Sequence, residues 1–218
     1  MSIFGILPIE RYIWFMGLRE KKKAAKHASI IRVGWELFIR EGYDRCSVEK
    51  IIAMAGIARG TFYLYFPSKK KLFDALLSEI YTPLLDILEA AEKDLAAADS
   101  SYAQQMRYLR TAMELADVLE QKKQHLILHY REAWSAGPAG ESVRRWRNKL
   151  EQAVVKILTG AMEQKLIRHA DSQLVAMSIV GAAERLIWAW LQGETQLERQ
   201  KLAQLVADLF WQGLKDVE

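Results

Sequence analysis

The chain predicts an all-α fold, and three observations predict it. Apolar residues recur near every 3.6 positions over most of its 218 residues, no stretch alternates apolar and polar residues between hairpin turns, and only 4 prolines interrupt it. A hydrophobic content of 51% supplies a sizeable core, and 27% charged residues is a normal globular share.

The elements follow in order. The spacing of Ala28, Ile31, Trp35 and Phe38, with Leu37 beside them, predicts a helix over 24–40, ended by Glu41-Gly42-Tyr43. Ser47 is a good N-cap for a short helix through Met54, with Glu49 in its first turn. Ala55-Gly56 makes a tight turn, and a third short helix runs from about Ala58 to Tyr65. Pro67-Ser68 breaks the pattern, and Ser68 caps a fourth helix carrying Leu72, Leu76, Ile80 and Leu84, with a bend at Pro83. Further helices are expected over 104–120, 122–134 and 141–166, with Gly137-Pro138-Ala139-Gly140 as the clearest loop. Asp171 or Ser172 caps a helix reaching Leu191, and a last one runs to about Leu214. No internal repeat is visible.

Charge is unevenly spread. Residues 16–71 hold 13 Lys/Arg against 5 Asp/Glu, whereas 72–218 hold 17 against 21. A basic front on an acidic remainder suggests a polyanion partner for the front alone. The single cysteine, Cys46, excludes an internal disulfide and fits a reducing cytoplasm; a quiet buried thiol is its expected state. The opening 15 residues lack the form of a signal peptide, and no stretch reads as the ~18 apolar residues that span a bilayer, so no membrane role is expected. Met16 opens a more ordinary start, so residues 1–15 are either an over-extended start or an extra helix.

The informative stretch is 47–73, SVEKIIAMAGIARGTFYLYFPSKKKLF. Two short helices meet at a turn where Ala55 is small and Gly56 is free to take positive φ. Ile51, Ile52, Ile57 and Phe62 form the core that sets the crossing, which is helix-turn-helix geometry over 46–65. The outward face of the second helix offers Arg59, Gly60, Thr61 and Tyr63 to base edges; Arg pairs with guanine and the Thr methyl meets a thymine methyl. Ser47, Tyr63, Tyr65 and Lys69 suit phosphate oxygens, and Arg19, Lys21, Lys22 and Lys23 suit an adjacent groove. A small helical hairpin with a buried aromatic cluster is the plainer alternative.

These residues carry a resemblance. The order and spacing of Ala28, Phe38-Ile39-Arg40-Glu41-Gly42-Tyr43, Ser47, Ile51-Ile52, Ala55-Gly56-Ile57, Gly60-Thr61-Phe62-Tyr63-Leu64-Tyr65-Phe66, Ser68-Lys69 and Leu72-Phe73 resemble the DNA-binding domain of the TetR family of repressors. The likeness covers about fifty residues. Two positions depart from it: Ala58 stands where a hydroxyl is frequent, and Leu64 where a histidine is common. The resemblance implies an extension over 1–20, a DNA-binding domain over 21–71 and a ligand-sensing and dimerisation domain over 72–218. It implies a homodimer joined through the last two helices, a palindromic operator, and a small, largely apolar or aromatic effector that shifts the fourth helix and releases DNA. A ligand-independent DNA binder or adaptor of the same fold is the alternative.

Within the C-terminal part, Gly181, Trp188, Leu205, Leu209 and Phe210 are candidate dimer residues. Leu126, Tyr130 and Trp134 form a stripe at i, i+4 and i+8, which Tyr108 and Trp146 join as candidate ligand wall; Arg107, His129 and Glu132 are candidate polar fixers. His125 and His129 have a metal-compatible spacing but no further ligand set, so no metal or cofactor is expected. No phosphate loop, HExxH, GxSxG or paired-Cys motif is present, and no enzymatic activity is expected.

Overall fold

The computed structural model describes residues 9–96 and 101–195, with 201 and 208. They form eight α-helices and, among the described residues, no strand. In chain order these are α1 (Ile9–Glu41), α2 (Val48–Ala55), α3 (Arg59–Tyr65), α4 (Lys69–Ala96), α5 (Ser101–Gln121), α6 (Lys123–Glu132), α7 (Pro138–Glu163) and α8 (Ser172–Leu191). The chain divides into two compact units, Met1–Phe73 and Asp74–Glu218.

Unit 1 is built on α1. The expected start near residue 24 is too late: the helix begins at Ile9, so Lys21, Lys22 and Lys23 lie on it as exposed residues. Its buried face also differs from the one read from spacing. Ile30, Val33, Trp35, Leu37 and Phe38 are buried, while Ala28 is exposed. Phe38, Tyr43 and Phe73 meet ring to ring at 5.1–5.7 Å, closing the core where α1 exits through Gly42 at φ 83°. Ile51, Phe62 and Phe66 complete it. Aromatic contacts of this kind add about 0.5–1.5 kcal/mol each beyond the area they bury.

Unit 2 packs α7 against α8, with α6 touching both and α5 packed on α6. Leu158, Ala161, Met162, Ile167 and Ala176 form a buried hydrophobic cluster within it. The loop expected over 137–140 lies earlier, over 133–137: Gly137 is the N-cap of α7 and Pro138 begins the helix. A proline at that point loses no bond, because its missing N–H has no intrahelical partner there, and its fixed φ is already helical. Gly140 is required by packing, since a Cβ would run into the Ser135 carbonyl. Pro83 lies inside α4, which continues through it.

By length and composition, α8 is apolar enough to cross a membrane, although Glu184 and Arg185 interrupt it. Ala176, Val180, Ile187 and Ala189 are buried inside unit 2, and Leu174, Met177 and Trp188 are exposed.

Candidate DNA-binding face and effector cavity

In unit 1 the turn between α2 and α3 is set locally. Ser47 Oγ accepts from the Lys50 amide at 3.2 Å, capping α2. Gly56 ends α2 in the left-handed region at φ 61°. At α3 the N-cap is Ala58, with no side-chain bond, as expected from the missing hydroxyl. Phe62 is buried in the core while Arg59, Gly60, Tyr63 and Leu64 are exposed, so the seven-residue α3 turns one face inward and the other outward.

The outward side chains are preorganised to different degrees. Arg59 reaches Glu49 at 3.5 Å and its guanidinium carbon is 5.8 Å from the Tyr63 ring centroid. Both members of that ion pair are well exposed, so it contributes little stability and yields readily to a stronger anion. Gly60 leaves open space where a Cβ would stand, and Thr61 is half-buried beside it. Leu64, 77% exposed, is an apolar side chain standing in the open on the same helix.

Two expected phosphate ligands are committed elsewhere. Lys69 Nζ donates to the carbonyls of Tyr43 at 2.8 Å and Cys46 at 2.9 Å, and lies 4.2 Å from the Tyr43 ring centroid. It pins the α1–α2 connection to the start of α4. Tyr65 donates its hydroxyl to the Lys23 carbonyl at 3.1 Å, and His27 stacks on Phe66 at 5.2 Å. Sequence spacing cannot show this, because both contacts bridge more than twenty residues. Cys46 is buried, and its burial pushes the thiol up to about 11, so it stays protonated and unreactive at neutral pH.

In unit 2 a cavity of about 140 Å³ opens between α4, α5, α6, α7 and α8. Ile80, Leu84, Leu88, Leu115, Leu119, Leu126, Leu150, Val154, Val180, Ala183 and Ile187 supply hydrocarbon, and Tyr81, His129, Tyr130 and Glu184 the polar groups. The polar groups are chained together. Tyr81 Oη and His129 Nδ1 are 2.6 Å apart, His129 Nε2 is 3.5 Å from Glu184 Oε1, and Arg147 Nε donates to the same oxygen at 2.8 Å. Tyr130 donates to the Glu184 carbonyl at 2.9 Å. Burial pushes the Glu184 carboxyl upward, but the contacts from His129 and Arg147 outweigh it and hold it below the ordinary carboxylate value.

Of the candidate ligand residues, Leu126, His129 and Tyr130 line this cavity, and Arg107, Tyr108, Glu132, Trp134 and Trp146 do not. Trp134 is 83% exposed: α6 ends at Glu132, so the helical stripe stops two residues short of it. It instead lies 5.5 Å from the Arg147 guanidinium. Trp146 stacks on Tyr81 at 5.5 Å and supports the wall from behind. Arg107 donates to the Asp94 carbonyl, tying α5 to the end of α4. Tyr108 is not a lining residue, and burial pushes its phenol up to about 12. Glu132 is buried, also outside the lining, and among the described residues no metal-binding cluster joins His125 and His129. The sequence reading missed Tyr81 and Glu184. A lone acid inside an apolar helix, as Glu184 is in α8, was the available signal.

Of the candidate dimer residues, Gly181 is exposed with open space at its Cβ position, and Trp188 is 36% exposed with its ring 5.1 Å from Tyr130. Leu205, Leu209 and Phe210 lie outside the described residues.

A helix-turn-helix with an outward basic and polar face, joined to a helical unit with an apolar cavity, defines the class: a DNA-binding helical regulator. Residues 30–76 match the family model for bacterial regulatory proteins of the tetR family, so the DNA-binding domain of this chain is of the TetR type. The fatty acid metabolism regulator protein of Bacillus subtilis is 25% identical over 199 residues, covering 89% of this chain and 98% of that protein. The fold is also similar to that of the TetR family transcriptional regulator PfmR from Thermus thermophilus, with a TM-score of 0.61, 18% identity and 86% and 99% of the two chains covered. The regulator FadR from Bacillus subtilis, in complex with stearoyl-CoA, superposes with a TM-score of 0.67 at 20% identity over 86% and 98%.

Proposed function

We propose that the protein is a homodimeric repressor that binds a palindromic operator through α3 and leaves it when a small, largely apolar effector enters the unit 2 cavity. The cavity carries this reading, because eleven of its fifteen lining residues present only hydrocarbon. Apolar cavities of about 150 Å³ stay dry and admit a benzene-sized guest. The stearoyl-CoA held by the Bacillus subtilis FadR supports a hydrocarbon chain as the class of guest. A cavity of this volume takes a compact apolar molecule or part of such a chain.

Arg59, Gly60, Thr61 and Tyr63 are the residues assigned to base edges, with Ser47 at the backbone. The domain assignment follows the same division: an N-terminal extension over 1–20, DNA binding over 21–71, and sensing and dimerisation over 72–218. A second copy is the assigned occupant of the exposed face of α8, where Leu174, Met177, Gly181 and Trp188 lack cover. Ile80, Tyr81, Leu84 and Leu88, on α4, line the cavity, and Lys69 begins the same helix, so a guest that moves α4 acts on the element next to α3 in sequence.

The test is a fluorescence titration of the full chain against the DNA upstream of its own coding region, at two salt concentrations, then with added hydrocarbons. Tight, sequence-selective, salt-sensitive binding that an apolar compound reverses is the expected result. Selective binding that no compound alters would favour the ligand-independent DNA binder. Failure on a genome-wide fragment pool would overturn the DNA role.

A further inference from the structure

We propose that Glu184 makes the cavity selective for the charge of its guest: a neutral or cationic hydrocarbon is accepted, and the free carboxylate of the same chain is rejected. The inference rests on the effector reading above and adds to it a class of headgroup. Among the fifteen lining residues Glu184 is the one carboxylate. Arg147, which balances it, is not a lining residue; its Nε is already engaged with Glu184 Oε1. The contacts of Arg147 Nε at 2.8 Å and His129 Nε2 at 3.5 Å with the Glu184 carboxylate both fall on Oε1. The two lining phenols are spent on the wall itself, Tyr81 toward His129 Nδ1 and Tyr130 toward the Glu184 carbonyl.

A guest therefore meets a carboxylate, and the donors of Tyr81, His129 and Tyr130 are already turned to other groups of the wall. A hydroxyl or an ammonium can donate to that carboxylate. A guest carboxylate can only accept, and it faces a like charge where the surroundings screen it poorly. Any ion also loses hydration on entering an apolar cavity, so comparing a neutral guest with an anion alone would not isolate Glu184. An anion compared with a cation of equal length does, because both lose hydration and only the sign of the wall separates them.

The probes are octan-1-ol, octylammonium and octanoate, titrated into the full-length protein near pH 7 and read by intrinsic tryptophan fluorescence. The wild type is expected to bind octanoate roughly tenfold more weakly than either other probe. Glu184→Gln removes the repulsion and leaves Arg147 uncompensated, so octanoate gains roughly tenfold while octanol changes by less than about threefold. Arg147→Gln has the opposite sign: octylammonium tightens and octanoate weakens further, which keeps the test available if Glu184→Gln does not fold. Equal binding of the three probes by the wild type overturns the charge selection and leaves the effector reading standing. So does a probe preference that neither folded variant moves. Binding of none of the three strikes down the effector reading and this inference with it.

Discussion

The Tyr81 hydroxyl and Nδ1 of His129 lie 2.6 Å apart, joining α4 to α6 across 48 residues of sequence. With His129 Nε2 turned to Glu184, the proton belongs on Nε2, and Nδ1 accepts from the phenol. Burial holds the Tyr81 phenol far above its ordinary pKa, so it remains a donor at any physiological pH. Tyr81→Phe leaves a buried imidazole nitrogen without its partner. Denaturant unfolding is expected to show a loss of about 1–3 kcal/mol, and an unchanged stability would mean the bond is not formed in solution.

Arg59→Ala is expected to weaken operator binding by about 1–3 kcal/mol and to relax selectivity at one base pair. Glu49→Gln frees Arg59 from its 3.5 Å partner, so DNA affinity should rise modestly. Titration against operator and single-base variants checks both. Operator affinity and selectivity unaffected by Arg59→Ala would remove α3 as the reading element.

Lys69→Met separates a structural from a DNA-contacting lysine. Its ammonium bonds two carbonyls within unit 1, and losing them should cost about 1–3 kcal/mol of stability. The salt dependence of DNA binding should stay as it was. A shallower salt slope with unchanged melting would instead make Lys69 a phosphate ligand.

Glu184 ties stability to pH. Its folded-state pKa lies below the ordinary 4.5, so the folded protein holds this proton less tightly than the unfolded chain does. The contribution is fully present above about pH 4.5 and is lost as pH falls through the depressed folded value. Thermal melts between about pH 3 and 7 should therefore show a shallower acid loss in Glu184→Gln than in wild type.

Gly140→Ala places a methyl group against the Ser135 carbonyl at the start of α7. Backbone atoms cannot swing aside as a side chain does, so a melting-temperature drop equivalent to about 1–3 kcal/mol is expected. The same change at Gly60, where a Cβ meets open space, should leave stability nearly unaltered and test DNA approach alone.

The sequence by itself determined the helical class, the turn at Ala55-Gly56, the Ser47 cap and the outward face of α3. Each depends on contacts within a few residues, where cap chemistry and a 3.6-residue period act directly. It also pointed to His129 and Tyr130. It could not show that Lys69 and Tyr65 bond carbonyls far along the chain, or that Trp134 lies beyond the end of α6. Only the tertiary structure decided that Tyr81, His129, Arg147 and Glu184 form one chain of contacts. They come from α4, α6, α7 and α8, and no local rule brings four helices together. Packing of their apolar faces does, and it decides which polar side chains become buried neighbours.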